Sequence, residues 1–141
     1  MQKKINLFLF LFLLPVLVVA QSYQSLDTIK PSADYENIYT RIVASDSLVS
    51  SFVIFIKKEV KAHKHSLHSE HIYILDGAGE MLVGDKTFKI KRGDILFVPK
   101  NTIHSLKVAS AIPVKVLSVQ TPMFDGKDRI FIDPAIAAPT R

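Results

Sequence analysis

The chain has five histidines, His63, His65, His68, His71 and His104, and all of them fall within 42 consecutive residues. Imidazole binds metals and titrates near neutral pH, so clustering it points to metal ligation or proton transfer. His63 and His65 are one residue apart. Side chains on a strand alternate between faces, so these two rings can point the same way and meet one ion. Glu70 follows with the parity of Ile72 and Ile74, which sets a carboxylate on an inward, apolar face. Imidazoles with a carboxylate suit borderline and harder divalent metals, and the chain has no cysteine to supply the thiolates that softer ions want. The candidate ions are Mn, Fe, Co, Ni, Cu and Zn. An isolated H-x-H is more often an exposed polar pair, so the neighbouring residues decide between the two readings.

Strands must carry these residues. Short segments rich in Val, Ile and Phe recur between turn signals: Ser51 to Ile56, His71 to Leu75, Met81 to Val83, Thr87 to Ile90, Ile95 to Val98, and Val114 to Val119. Asp76-Gly77-Ala78-Gly79, Gly84-Asp85-Lys86 and Arg92-Gly93-Asp94 supply glycine where turns need positive φ. After residue 20 no stretch of useful length has helical periodicity. Closely spaced strands with glycine turns predict an all-β, antiparallel sandwich or jelly-roll barrel, arrangements that limit exposed edges.

The segment from His63 to Gly77 reads H-x-H, four residues, Glu, six residues, Gly, and in this it resembles the first motif of the cupins. Lys57 stands where that motif usually has a leading glycine. GDILFVPKNTIH, from Gly93 to His104, is similar to the second motif through Gly93, Pro99 and His104. Asn101 replaces a usual glycine there, and asparagine tolerates left-handed backbone angles better than other non-glycine residues. Val108 replaces a usual asparagine and removes a polar contact. Fifteen residues, Ala78 to Arg92, separate the motifs, as in compact single-domain cupins. The resemblance spans about Phe52 to Thr121. It implies a jelly-roll barrel with His63, His65, Glu70 and His104 as ligands of one divalent metal, whose open positions take water, dioxygen or substrate.

His68 shares the parity of Glu70 and faces the site as a hydrogen-bond donor behind the ligands, a proton shuttle or an extra ligand, or else is an exposed loop histidine; the sequence leaves both open. His71 has the opposite parity and faces away with Tyr73 and Leu75. Tyr73 and Phe97 read as core or interface. Ile72, Ile74, Phe88, Ile90 and Phe97 are expected to line a largely apolar pocket, as small-molecule sites usually are. Cupins include dioxygenases, isomerases, decarboxylases and binding proteins, so the fold does not choose a reaction. The few acid–base groups near the site favour metal-centred chemistry on a small oxygen-rich molecule, dioxygenase-like or isomerase-like. The competing reading is a non-catalytic binding module for a metal or a small ligand such as a sugar or sugar acid.

The ends of the chain set its expected organisation. Lys3 and Lys4, the apolar run Leu7 to Val19 and Val18-Val19-Ala20 have the layout of a secretory signal cleaved after residue 20. The run is 13 residues long and holds Pro15, too short for a membrane span of about 20. Cleavage leaves 16 basic against 13 acidic residues, a net charge of +3 with no dense basic stripe, and so no reason to expect a nucleic-acid partner. The Lys57, Lys58, Lys61 and Lys64 cluster reads as a solvated face. The expected product is periplasmic or secreted, with a polar arm over 21–39, a barrel over 40–121 and a tail over 122–141 that holds a short strand-like segment, Arg129 to Ile132, and can fold back on the barrel. By resemblance it pairs as a homodimer through these arms. Phe124 in the tail reads first as edge cover, with closure over the barrel mouth or a dimer seam as the other options.

Overall fold

The structure, a computed structural model, describes residues 23–133. The expected export segment and the end of the tail lie outside them. Ten strands run in chain order: β1 (Ile38–Ser45), β2 (Ser50–Ile56), β3 (Glu59–Lys64), β4 (Ser69–Asp76), β5 (Ala78–Val83), β6 (Lys86–Lys91), β7 (Ile95–Val98), β8 (His104–Val108), β9 (Val114–Thr121) and β10 (Ile130–Phe131). Among the described residues the only helical piece is a 3-10 turn, Leu26–Thr28. The strands form two antiparallel five-stranded sheets, ordered β1-β2-β9-β4-β7 and β10-β3-β8-β5-β6. This is the all-β double-sheet jelly roll that the strand pattern predicts.

Alternation holds the sheets face to face. β4 buries Glu70, Ile72 and Ile74 while exposing His71 and Tyr73, and β9 buries Val114, Val116, Ser118 and Gln120. Ile56, Ile72, Ile74, Met81, Ile90, Val98, Leu106, Val114 and Val116 form the main core. Burying each such side chain contributes about 1.5–3 kcal/mol, which makes this cluster the main source of cohesion between the sheets. Val108 packs against the same core, so the position where the motif usually has a polar residue is apolar here. At Gly77, φ is +78° and an added Cβ would lie 2.8 Å from the carbonyl oxygen of Pro113, so only glycine fits. Asn101 takes φ 62°, the left-handed angle expected of it, and its N–H donates to the carbonyl of His65 at 2.6 Å.

All six expected strands form, the strand-like tail piece forms as β10, and three more, β1, β3 and β8, complete the sheets. β1 is a mostly exposed edge strand with no clean alternation, which is why its sequence does not announce it. β3 and β8 carry the histidines, whose polarity masks the strand pattern. The expected pocket lining needs a correction. Ile72, Ile74 and Ile90 line the cavity, but Phe88 and Phe97 are 43% and 53% exposed. Phe97 pairs with His71 on the outer face, and their rings lie 4.8 Å apart. Phe88 has the parity of Ile90 but sits on β6, the open edge of its sheet. Tyr73 is also outward, at 39% exposure, so it belongs to the surface and not the core.

Both flanking segments dock on the barrel. Ile29 is buried with Val53 and Phe55 in a second, smaller cluster, and the Lys115 ammonium donates to the carbonyls of Leu26 at 2.6 Å and Ile29 at 3.0 Å. After β9 the chain folds back as β10, which pairs with β3 through Ile130–Lys64 and Phe131–His63.

Candidate metal centre

A β-bulge aims the histidines. β3 pairs with β8 through Val60–Leu106 and then His63–His104, so three steps on β3 match two on β8. The extra residue reverses parity, which is how Val60 and His63 both line the cavity despite their odd spacing. His63, His65 and His104 are all buried, and their ligand nitrogens lie within 4.8 Å of one another. Glu70, on the facing sheet, brings Oε2 to 3.4 Å from His104 Nε2 and 3.9 Å from His65 Nε2. The four residues expected to act together are thus brought to one end of the barrel.

Each imidazole is held from behind. His63 Nδ1 faces the Lys61 carbonyl at 2.8 Å, His104 Nδ1 faces the Thr102 carbonyl at 3.0 Å, and His65 Nδ1 faces the carbonyl of Asp128. A carbonyl only accepts, so Nδ1 carries a proton in all three, and in the neutral ring Nε2 is left with its lone pair. Such backing is the usual arrangement behind metal-ligating histidines. Glu70 is fixed likewise: Oε1 accepts from Ser118 Oγ at 2.5 Å and from Gln120 Nε2 at 3.5 Å, which leaves Oε2 turned to the histidines. Gln120 pairs directly with Glu70 across β4 and β9.

The electrostatics favour cation binding. Burial pushes the His63 imidazolium down to about 4, helped by the neighbouring His104, and burial also lowers His65. Both rings are therefore neutral imidazoles at neutral pH. For Glu70, burial acts upward, but a proton on His104 or His65 and the hydrogen bond from Ser118 outweigh it and hold the carboxyl below its ordinary value. Nε2 of His65 and of His104 are buried without a hydrogen-bond partner. Leaving such an atom unpaired costs about 1–3 kcal/mol, a penalty that a bound cation removes. Neutral lone pairs converging beside a carboxylate fit a divalent metal.

The cluster opens on a cavity of about 60 Å³ whose walls include Ile54, Ile56, Val60, Ile72, Ile74, Met81, Ile90, Leu106 and Val116. His68 does not line it. Its Nδ1 lies 2.6 Å from the Asp128 carboxylate and its Nε2 2.9 Å from the Met123 carbonyl, so both ring nitrogens face acceptors. Burial acts to lower His68, but these partners prevail and raise it, while burial of Asp128 is outweighed by His68 and the N–H groups of Leu67 and Ser66, which bring its carboxyl down to about 2. His68 is buried and so is no exposed loop histidine; it meets the site through Asp128 and through ring contacts with His65, at 6.2 Å, and Phe124. His71 faces outward, as its parity predicts.

Sequence reasoning missed Ser118, Gln120, Asp128 and Arg129, and it gave Phe124 no part in the site. Ser118 and Gln120 alternate with Val119 on β9, a polar inward pair that parity alone would have flagged. The tail residues carry no local signal, because their partners are about sixty positions away. Phe124 packs its ring 5.3 Å from His65, 5.2 Å from His68 and 6.2 Å from Phe52.

A jelly-roll barrel with three histidines and a glutamate at one end defines a class of small β-barrel proteins. Residues 52–120 match the cupin domain, and the chain belongs to the cupin family. It is 33% identical over 85 residues to an uncharacterized protein of Aquifex aeolicus, covering 60% of this chain and 69% of that one. It is 31% identical over 101 residues to quercetin 2,3-dioxygenase of Bacillus subtilis, covering 67% of this chain and 30% of the enzyme. The fold is similar to the structure of KdgF from Halomonas sp., with a TM-score of 0.66 and 18% identity over 75% of this chain and 97% of the other.

Proposed function

We propose that this chain is an exported, metal-dependent cupin enzyme that holds one divalent ion on His63, His65, Glu70 and His104 and acts on a small oxygen-rich molecule. The observation that carries this reading is the pair of buried, unpartnered Nε2 atoms on His65 and His104 facing the Glu70 carboxylate. A bound ion supplies a Lewis acid at the polar end of the cavity and, if its valence can change, electron transfer. The chain's own part is to orient and exclude. Carbonyls 61, 102 and 128 fix the imidazole tautomers, Ser118 and Gln120 turn Glu70, and the aliphatic walls keep bulk water from the reacting end.

Oxidative chemistry is favoured over isomerisation because free proton carriers are scarce. His68 is engaged by Asp128 and Met123, and Glu70 is the one carboxylate lining the cavity among the described residues. Likeness to a quercetin 2,3-dioxygenase supports the same choice.

The test is elemental analysis of the mature protein beside His63→Ala and His104→Ala. The expected result is close to one ion per chain in the wild type and loss in both variants, with oxygen uptake or product formation following the metal. Failure of the wild type to take up any divalent ion on titration would sink the metal reading. Metal with an unaltered bound ligand would make the protein a binding module. Export is checked by intact mass after expression of the full chain in a bacterium: the mature product is expected to begin at Gln21, and an unprocessed cytoplasmic chain would overturn it.

A further inference from the structure

The cavity is polar at one end and hydrocarbon beyond it. His63 and His65 stand where β3 ends, Glu70 and His104 where β4 and β8 begin, and Gln120 near the end of β9. Deeper on the same strands come Ile72 and Ile74, Leu106, and Val116. A cavity of about 60 Å³ holds roughly four to six water-sized spheres, so what enters is a body of a few heavy atoms.

Arg129 is the one Lys or Arg lining this cavity among the described residues. The chain on either side of it is fixed: the Asp128 carboxylate accepts from the N–H groups of Ser66 at 2.9 Å and Leu67 at 2.7 Å, and Ile130 pairs with Lys64 on β3. The guanidinium lies 5.8 Å from the Phe124 ring, and no ion pair among the described residues engages it. A planar guanidinium matches a carboxylate through two parallel hydrogen bonds. With a divalent ion balanced by only one carboxylate, the mouth is electropositive and draws anions.

We propose that the ligand of this site is a short-chain carboxylate, its carboxyl group paired with Arg129 at the mouth and its apolar body directed between Ile72, Leu106 and Val116. The sign of the field rests on the metal-dependent reading above, whereas the Arg129 pair does not. The cavity therefore favours a small anion whose oxygens lie at the rim beside Arg129 and whose few remaining atoms meet the aliphatic walls.

The test is calorimetric titration of the mature protein, metal-loaded and chelator-treated, with 3-methylbutanoate and its neutral amide, beside Arg129→Gln and Arg129→Lys. Metal content is measured in every sample. For the loaded wild type the acid is expected to bind on the order of tenfold more tightly than the amide, the effect of one charged hydrogen-bonded pair. R129Q should abolish that preference with metal content unchanged, and R129K should keep part of it. Equal binding of acid and amide, binding of neither, or a preference that survives R129Q overturns the proposal. A wild type that takes up no metal yet keeps an Arg129-dependent preference supports the proposal and removes the metal reading. Full metal content without an acid preference does the reverse.

Discussion

The segments on either side of the matched cupin residues dock in different ways. The N-terminal one, residues 23–37, joins the barrel as packing: Ile29 is 1% exposed against Val53 and Phe55, and none of its residues lines the cavity. The C-terminal one, residues 122–133, buries little hydrocarbon, since Met123, Ile130 and Phe131 are all exposed. It is held instead by polar contacts around the histidines, with Asp128 accepting from Ser66, Leu67 and His68 and its carbonyl backing His65. Two flanks of similar length thus do different work. One adds stability at a distance from the site, and the other completes the shell behind His65.

The sharpest way to break this contrast is at Ile29. Replacing it with alanine removes a fully buried side chain and leaves a cavity against Val53 and Phe55, at an expected cost of about 2–5 kcal/mol of folding stability. Metal affinity of the folded protein should stay unchanged. Chemical denaturation of the metal-free protein with a separate metal titration measures both, and a large loss of metal affinity in Ile29→Ala would erase the distinction between the two flanks.

The opposite result is expected from Asp128→Ala. Ser66, Leu67 and His68 lose the acceptor that the carboxylate gives them, the segment is released, and the carbonyl behind His65 is no longer fixed. Loss of such backing typically weakens metal affinity about 10–100-fold. Competition against a fluorescent chelator reads the shift directly. An unchanged affinity would mean that the Asp128 carboxylate positions nothing at the site.

The same contrast marks what the sequence could reveal. His63, His65 and Glu70 are close in the chain and follow strand parity, while His104 comes from a second motif that can be recognised, so the expected four come together at one end of the barrel. The bulge between Val60 and His63 was illegible, because nothing local in Lys61-Ala62 announces an extra residue. Asp128 and Arg129 gave no signal either, since their roles exist only once β10 has paired with β3. Phe88 and Phe97 failed for a related reason: parity and hydrophobicity say which residues prefer burial, but edge position and sheet order decide which are covered.

Phe124 gives the smallest and most discriminating test, because it belongs to the site-facing flank yet contributes only packing. Its half-buried ring meets His65, His68 and Phe52 edge-on, contacts worth about 0.5–1.5 kcal/mol beyond area burial. Phe124→Leu keeps most of the apolar volume and removes that edge geometry. A fall in unfolding free energy within that range is expected, with metal affinity shifted by about twofold or less, since the carbonyl behind His65 stays in place. If Phe124→Leu instead loosened the metal as much as Asp128→Ala, the orientation of His65 would depend on the ring against its face and not on the acceptor behind it. The C-terminal flank would then act by packing, as the N-terminal one does.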